Sequence, residues 1–224
     1  MSKIVIAIDG PAGSGKSTTA KLVAQKLGFL YLDTGAMYRA ITLKCLRLEK
    51  DLTDQKQVEK IAQESDIKFD FEDGSNHVLL DGEDVTSAIR QPDIDRNVSF
   101  LAKHKKVREV LVAHQRRLGQ NHDLVAEGRD TTTVVFPDAI KIYLSADLKE
   151  RARRRLWELK SKGIESSEEE QTEELARRDK IDSTRENSPL FRHKDAIVID
   201  TTDLTISQQV NKVIEVCKEK IGAK

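Results

Sequence analysis

The amino-acid sequence predicts an α/β fold: a buried parallel sheet flanked by helices, carrying one inserted antiparallel element and one charged helical flap. Three observations lead there. Ile4-Val5-Ile6-Ala7-Ile8 is a continuous, largely β-branched run, the habit of a strand buried on both faces as in parallel sheets. It passes through a loop of three glycines into a stretch where Ala20, Leu22, Val23, Ala24 and Leu27 recur at helical spacing. Short apolar strand candidates then keep alternating with helical stretches toward the C-terminus, with one break in that rhythm.

In chain order, the first helix (residues 17–27) stops at Gly28, a residue suited to a helix C-terminus. A short strand is expected at 29–32, with helices at about 36–48 and 55–64. Ile67-Lys68-Phe69-Asp70-Phe71 then alternates with period two, residues 72–76 are rich in turn formers, and 77–80 resume an extended pattern. That predicts an antiparallel hairpin inserted into the βα series. Helical periodicity returns at about 98–118, followed by strands at 124–127 and 140–144. Two charged helices, about 148–162 and 167–182, are separated by Gly163, and Glu168-Glu169-Glu170 occupy the first turn of the second, where acidic residues favour the helix dipole. A strand at 196–200 and a helix at 207–221 close the pattern.

With 224 residues, the chain suits one α/β domain with a modest insertion, and no internal repeat or low-complexity linker interrupts it. Lys plus Arg and Asp plus Glu both number 38, so any basic site must be local, and no nucleic-acid partner is expected. Cys45 and Cys217 lie far apart without a C-x-x-C or a His cluster, which argues against a zinc site or a disulfide framework and for two buried thiols. The apolar run at 4–8 is too short for a signal-peptide core, and no stretch reaches the length of a membrane span. A cytoplasmic enzyme without membrane attachment is the expectation.

Gly10-Pro11-Ala12-Gly13-Ser14-Gly15-Lys16-Ser17 satisfies G-x-x-x-x-G-K-[ST] at every specified position, between a buried strand and a helix, the context this motif requires. Its glycines let backbone N–H groups turn inward around phosphate oxygens, and Lys16 sets a cation against the β and γ phosphates. The segment from Gly10 through Ser17 and Thr18 is therefore the candidate ATP site, with Ser17 offering its hydroxyl to Mg²⁺. Asp9, at the strand end, either meets that metal through water or caps the loop backbone.

A guanine-nucleotide switch is the main competing class. None of the eleven glycines has an Asp three residues before it, so no D-x-x-G element exists, and Asn211-Lys212-Val213-Ile214 lacks the Asp of a guanine-reading N-K-x-D. Balanced charge gives no support to a motor with a nucleic-acid surface. Phosphoryl transfer needs positive charge converging on the reacting oxygens. Arg151, Arg154 and Arg155 share a helix face at i, i+3 and i+4, and Arg177, Arg178 and Arg185 follow. The competing reading of these arginines is a solvated helix laced with Glu150, Glu158, Glu173 and Glu174.

Leu32-Asp33-Thr34-Gly35-Ala36-Met37-Tyr38-Arg39, Glu127-Gly128-Arg129-Asp130 and Arg178-Asp179-Lys180-Ile181-Asp182-Ser183-Thr184-Arg185 together resemble bacterial cytidylate kinases. The resemblance spans nearly the whole chain. It also takes in the Asp-Gly-Pro lead-in at 9–11, the segment 81–86, Val134-Val135-Phe136-Pro137-Asp138 and Ser188-Pro189-Leu190. It implies a P-loop core with a five-stranded parallel sheet (residues 1–34, 119–148 and 186–224). To this it adds a monophosphate-binding insertion (about 35–118) with a small antiparallel sheet, and a lid (about 149–185).

The resemblance further implies that Thr34 and Arg39 contact the acceptor nucleotide, that Arg39, Arg108 and Arg129 serve its phosphate, and that Ser99 lies near the cytosine. Asp130 can accept from the exocyclic amino group of cytosine or hold the pentose hydroxyls. The alternative is a buried Arg129-Asp130 pair. Asp182 and Arg185 match a sugar contact and a lid arginine, or else pin the helix end. With Lys16, the arginines Arg155, Arg178 and Arg185 form the catalytic set around the migrating phosphoryl group. The implied reaction is transfer from ATP, with Mg²⁺, to CMP and dCMP, by a monomer, without a general base. UMP or another nucleoside monophosphate is the alternative acceptor.

Tyr38 and Phe29 are read as core, and Trp157 and the histidines as surface or packing residues. One departure stands out: Thr131-Thr132-Thr133 replaces the Met-Gly pair that usually precedes Thr in the family, and β-branched residues stiffen that turn.

Overall fold

Strand β1 (Val5–Asp9) is central because its sequence leaves no polar side until its last residue: Ile6, Ala7 and Ile8 have no exposed surface. In the computed structural model, which describes residues 3–70 and 77–222, β1 pairs in parallel with β6 (Leu124–Gly128) on one side and β7 (Ile140–Ser145) on the other. Strands β2 (Leu30–Asp33) and β8 (Ile197–Asp200) complete a five-stranded parallel sheet in the order β2-β6-β1-β7-β8. The register Asp9↔Gly128 sets the carboxyl ends of β1 and β6 side by side. The glycine loop and Arg129-Asp130, 112 residues apart at their nearest, therefore open onto the same edge, where ligands of open α/β sheets bind.

Helices α1 (Lys16–Leu27) and α8 (Ile206–Gly222) cover one face, with Val23, Val210, Val213 and Cys217 packed on Ile6, Ile8 and Ile142. The insertion has a core of its own. Helices α2 (Thr34–Arg47), α3 (Gln55–Glu64), α4 (Pro92–Leu101) and α5 (Lys105–Asn121) enclose Met37, Ile41, Ile67, Ile89, Leu101 and Leu111, all buried. The predicted hairpin is present as β3 (Ile67–Asp70) against β4 (His77–Leu80), with Ile67 opposite Leu80 and Asp70 opposite His77. A third strand, β5 (Glu83–Asp84), makes the antiparallel sheet. Phe71 and the turn formers at 72–76 lie outside the described residues.

Two boundaries differ from expectation for identifiable reasons. The single helix expected at 98–118 is two helices, broken at residues 102–104. Pro92 starts α4 at its first position, a place proline favours. The His104 imidazole Nε2 sits 2.6 Å from the Leu52 carbonyl and fixes the break. Helix α2 starts earlier than expected because the Asp33 carboxylate accepts from the Ala36 N–H at 3.0 Å and caps it.

The flap is helices α6 (Leu148–Ser161) and α7 (Glu168–Thr184), packed on each other, with Ser167 and Glu170 forming a reciprocal capping box. Cys45 and Cys217 are buried free thiols, and burial pushes them up to about 11 and about 12 respectively. Among the described residues no helix is long and apolar enough to cross a membrane.

Candidate active site

The phosphate loop holds a conformation open to glycine alone at its ends. At Gly10 (φ 154°) an added Cβ would lie 2.1 Å from the Leu144 carbonyl oxygen, and at Gly15 (φ 86°) 2.8 Å from Gln209 Oε1. Gly10, Pro11 and Ser14 form the back of the turn, while Ala12, Gly13, Gly15, Lys16, Ser17 and Thr18 face a cavity of about 1040 Å³. Lys16 Nζ donates to the Pro11 carbonyl at 2.8 Å, curling the ammonium over the loop. Burial, helped by the Arg129 charge, pushes that ammonium down to about 7.

Asp9 takes neither of its expected roles. It is fully buried, and its two oxygens accept four hydrogen bonds, from the N–H and hydroxyl of Thr131 (2.9 and 2.5 Å) and of Thr132 (2.8 and 2.6 Å). Four donors exhaust a carboxylate, so Asp9 has nothing left for a metal-bound water or for the loop backbone. The threonines that replace Met-Gly are thus a latch between β1 and the wide turn at residues 131–135. The carboxylate that does reach Ser17 is Glu127, which accepts from the Ser17 hydroxyl at 2.6 Å. Burial, with the Asp33 charge adding to it, raises the Glu127 carboxyl above its usual range, against the pull of Lys16.

The acceptor-side residues named from sequence all line the same cavity: Thr34, Arg39, Ser99, Arg108, Arg129, Asp130 and Asp182, together with Arg155, Arg178 and Arg185 from the flap. Thr34 at the start of α2 donates to the Glu127 carbonyl at 2.7 Å, which fixes its hydroxyl against β6. Arg129 Nε donates to Asp182 at 2.9 Å. Arg108 donates to Asp130 and stacks over the Tyr38 ring, 5.2 Å from its centroid. Arg185 lies 3.8 Å from Asp182 and 3.9 Å from Asp130, and Ser99 Oγ is 3.4 Å from Asp182. Asp130 and Asp182 are therefore both paired with arginines within the cavity.

Arg39, Arg155 and Arg178 meet on a residue that sequence reasoning missed, Asp95 of α4. Arg90 was missed as well; it donates to the capping carboxylate Asp33 at 2.5 Å. Of the other flap arginines, Arg151 ties the flap to the loop through the Ala12 carbonyl (3.0 Å) and Asp179 (2.6 Å). Arg154 holds the turn after β8 through the Thr201 carbonyl at 2.5 Å, and Arg177 pairs with Glu174 at the surface. Trp157 is 75% exposed at the cavity rim, and Tyr38 is buried in the insertion core.

Positive charge is crowded here. Burial and then the neighbouring Arg129 and Arg39 push Arg178 down to about 10, and burial with Arg108 depresses Arg185. The Nε of Arg108, the Nε of Arg178 and Nη2 of Arg185 are buried without a hydrogen-bond partner. Buried guanidinium N–H groups are rarely left unbonded unless a ligand satisfies them. Converging guanidiniums with spare donors, a lysine on a phosphate loop and a sheet-edge cavity form a receptor for several phosphates at once.

Comparison with known proteins agrees with this geometry. A cytidylate kinase of Caldanaerobacter subterraneus subsp. tengcongensis is 51% identical over 217 residues, covering 96% of this chain and 95% of that one. A cytidylate kinase of Bacillus subtilis is 47% identical over 219 residues, covering 97% and 98%. Among solved structures, an uncharacterized protein of Eubacterium ventriosum superposes with a TM-score of 0.53 at 13% identity, covering 97% of this chain and 99% of that one, a likeness of fold alone. The family model described as cytidylate kinase matches residues 6–219, so that the loop, the insertion and the arginine flap all fall within it, and this chain belongs to the cytidylate kinase family of P-loop nucleoside monophosphate kinases.

Proposed function

We propose that this chain carries out the reaction for which its family is named, transfer of the γ-phosphoryl group of ATP to CMP, and that dCMP serves as well. The observation that supports it best is the single cavity shared by the phosphate loop, the Arg129-Asp130 turn and the flap arginines. ATP lies along residues 10–18, its β and γ phosphates against Lys16. The CMP phosphate is held by Arg39, Arg108 and Arg129 for in-line attack, with Thr34 and Ser99 beside the nucleoside. Asp130 and Asp182, each oriented by an arginine, accept from the cytosine amino group and the pentose hydroxyls. An ionised phosphate oxygen attacks, so no general base is needed, and positioning with charge stabilisation supplies the catalysis.

The Ser17 hydroxyl and the Glu127 carboxylate are hard oxygen donors at the loop, the set that suits Mg²⁺, an ion that keeps waters and leans on one or two protein oxygens plus phosphates. When bound, it neutralises charge on the transferring phosphoryl oxygens. Arg155, Arg178 and Arg185 reach the migrating group as residues 149–185 close over the core and the insertion, excluding water. A cytoplasmic monomer fits this reading.

With ATP, Mg²⁺ and CMP, ADP and CDP are expected in equal amounts, and omission of CMP abolishes ADP formation. ADP release indifferent to CMP contradicts the reading.

Lys16 adds a pH signature. Its ammonium titrates at about 7 in the free protein against an ordinary 10.5, so it is largely neutral at a pH of about 8.5. Bound phosphate favours the charged form and raises that value. ATP binding at that pH therefore takes up on the order of one proton, read by calorimetry in buffers of differing ionisation enthalpy. At a pH of about 6, below both values, Lys16 contributes almost nothing to the uptake.

A further inference from the structure

Asp95 is where the two appendages meet. It lies in the first turn of α4, within the insertion, and accepts from three helices at once. Arg39 of α2 donates at 2.5 Å, Arg155 of α6 donates to the other oxygen, and Arg178 of α7 stands at 3.4 Å. Among the described residues Arg39 and Arg178 form no other ion pair, while Arg155 also reaches Glu158 at 2.7 Å. A helix-dipole role does not account for this, because Asp93 in the same turn already places an exposed carboxylate there. The Asp95 side chain is only 14% exposed, and a carboxylate is brought inside at a cost that only close partners offset. Burial works against its ionisation, but Arg39, Arg155 and Arg178 outweigh burial and hold the carboxyl down at about 2.

These three arginines are the ones assigned above to the two phosphates that must meet. A carboxylate bridging them presents two anionic oxygens in a plane, as one face of a phosphoryl group does. We propose that Asp95 is a tethered stand-in for phosphate. It holds the arginines converged and draws the flap onto the insertion before substrates bind, and an incoming phosphate must displace it. This rests on reading the cavity as a phosphate site. It makes Asp95 a positioning residue that sets phosphate affinity and flap closure.

The test is direct binding, by calorimetry, of inorganic pyrophosphate and of CMP to the full chain and to Asp95→Asn and Asp95→Glu variants. Asparagine keeps the shape and removes the charge. A site held by its own carboxylate about nine-tenths of the time binds about tenfold more weakly than the same site vacated, so Asp95→Asn is expected to tighten both ligands by about that factor. Asp95→Glu, which restores the charge, returns affinity toward the native value. Amide hydrogen exchange in α6 and α7 without ligand rises in Asp95→Asn and falls back on adding pyrophosphate, a response that a merely structural aspartate would not give. Equal or weaker pyrophosphate binding by Asp95→Asn, beside measurable native binding, overturns the proposal alone. Failure of all three proteins to bind pyrophosphate overturns the phosphate-site reading and the proposal with it.

Discussion

Lys16→Ala lowers kcat about 100- to 1,000-fold, the range that follows loss of one preorganised group aimed at developing charge. The Lys16 ammonium is held over the loop by the Pro11 carbonyl, 2.8 Å away, and among the described residues no other lysine lines the cavity at the loop to replace it there. The loop backbone survives the substitution, because the turn is set by Gly10 and Gly15 rather than by the lysine. Folding stability is little affected, since burial already disfavours the charged form. Steady-state kinetics with a thermal midpoint on the same preparation separates the two effects. A variant that keeps more than about a tenth of native turnover would remove Lys16 from the transfer step.

Arg129→Ala is expected to lower kcat/KM for CMP by about 100-fold or more and to leave KM for ATP within about threefold, because in the proposed reading the lost group is a bidentate partner of the acceptor phosphate. The structure adds a second consequence. Arg129 donates to Asp182 at 2.9 Å inside the cavity, and truncation leaves that buried carboxylate with Arg185, 3.8 Å away, as its nearest cation. Breaking such a pair costs about 3 kcal/mol or more, so the thermal midpoint falls as well. Arg129→Lys distinguishes the two roles: a lysine keeps a charge near Asp182 but cannot fork onto a phosphate. Stability is expected to recover in that variant while KM for CMP stays high. Native KM for CMP and native turnover in Arg129→Ala would show that the acceptor phosphate lies elsewhere.

What could be read in the sequence follows distance along the chain. The phosphate loop is eight consecutive residues whose backbone demands are local, so pattern and flanking elements suffice to place it. Strand β1 declares itself through an unbroken apolar run, and helix α3 occupies the range its periodicity predicts. The residues that the family resemblance implies for the acceptor are brought to one cavity by the fold, but spacing alone does not single out Arg108 or Asp182 from among their charged neighbours.

The missed residues depend on contacts that no local pattern encodes. Asp95 and Arg178 are 83 positions apart, and from sequence Asp95 is one more acidic residue at a helix start. Glu127 stands in the Glu127-Gly128-Arg129-Asp130 motif with no role legible in the sequence, since its contact with Ser17 exists only through the pairing of β1 with β6. The partners of Asp9 are hidden from local pattern for the same reason: they lie 122 and 123 residues away, in a threonine turn whose unusual composition is the one hint the sequence offers.

The central claim is that one cavity couples ATP to a cytidine monophosphate. Its most direct test offers the purified protein ATP and Mg²⁺ with CMP, dCMP, UMP, AMP, GMP, dTMP or shikimate in turn, and follows ADP formation beside a control without acceptor. Fast turnover with CMP and dCMP, and little with the rest, is the result predicted here. Slow hydrolysis that no acceptor stimulates would contradict it and leave the converging arginines without a reaction to serve.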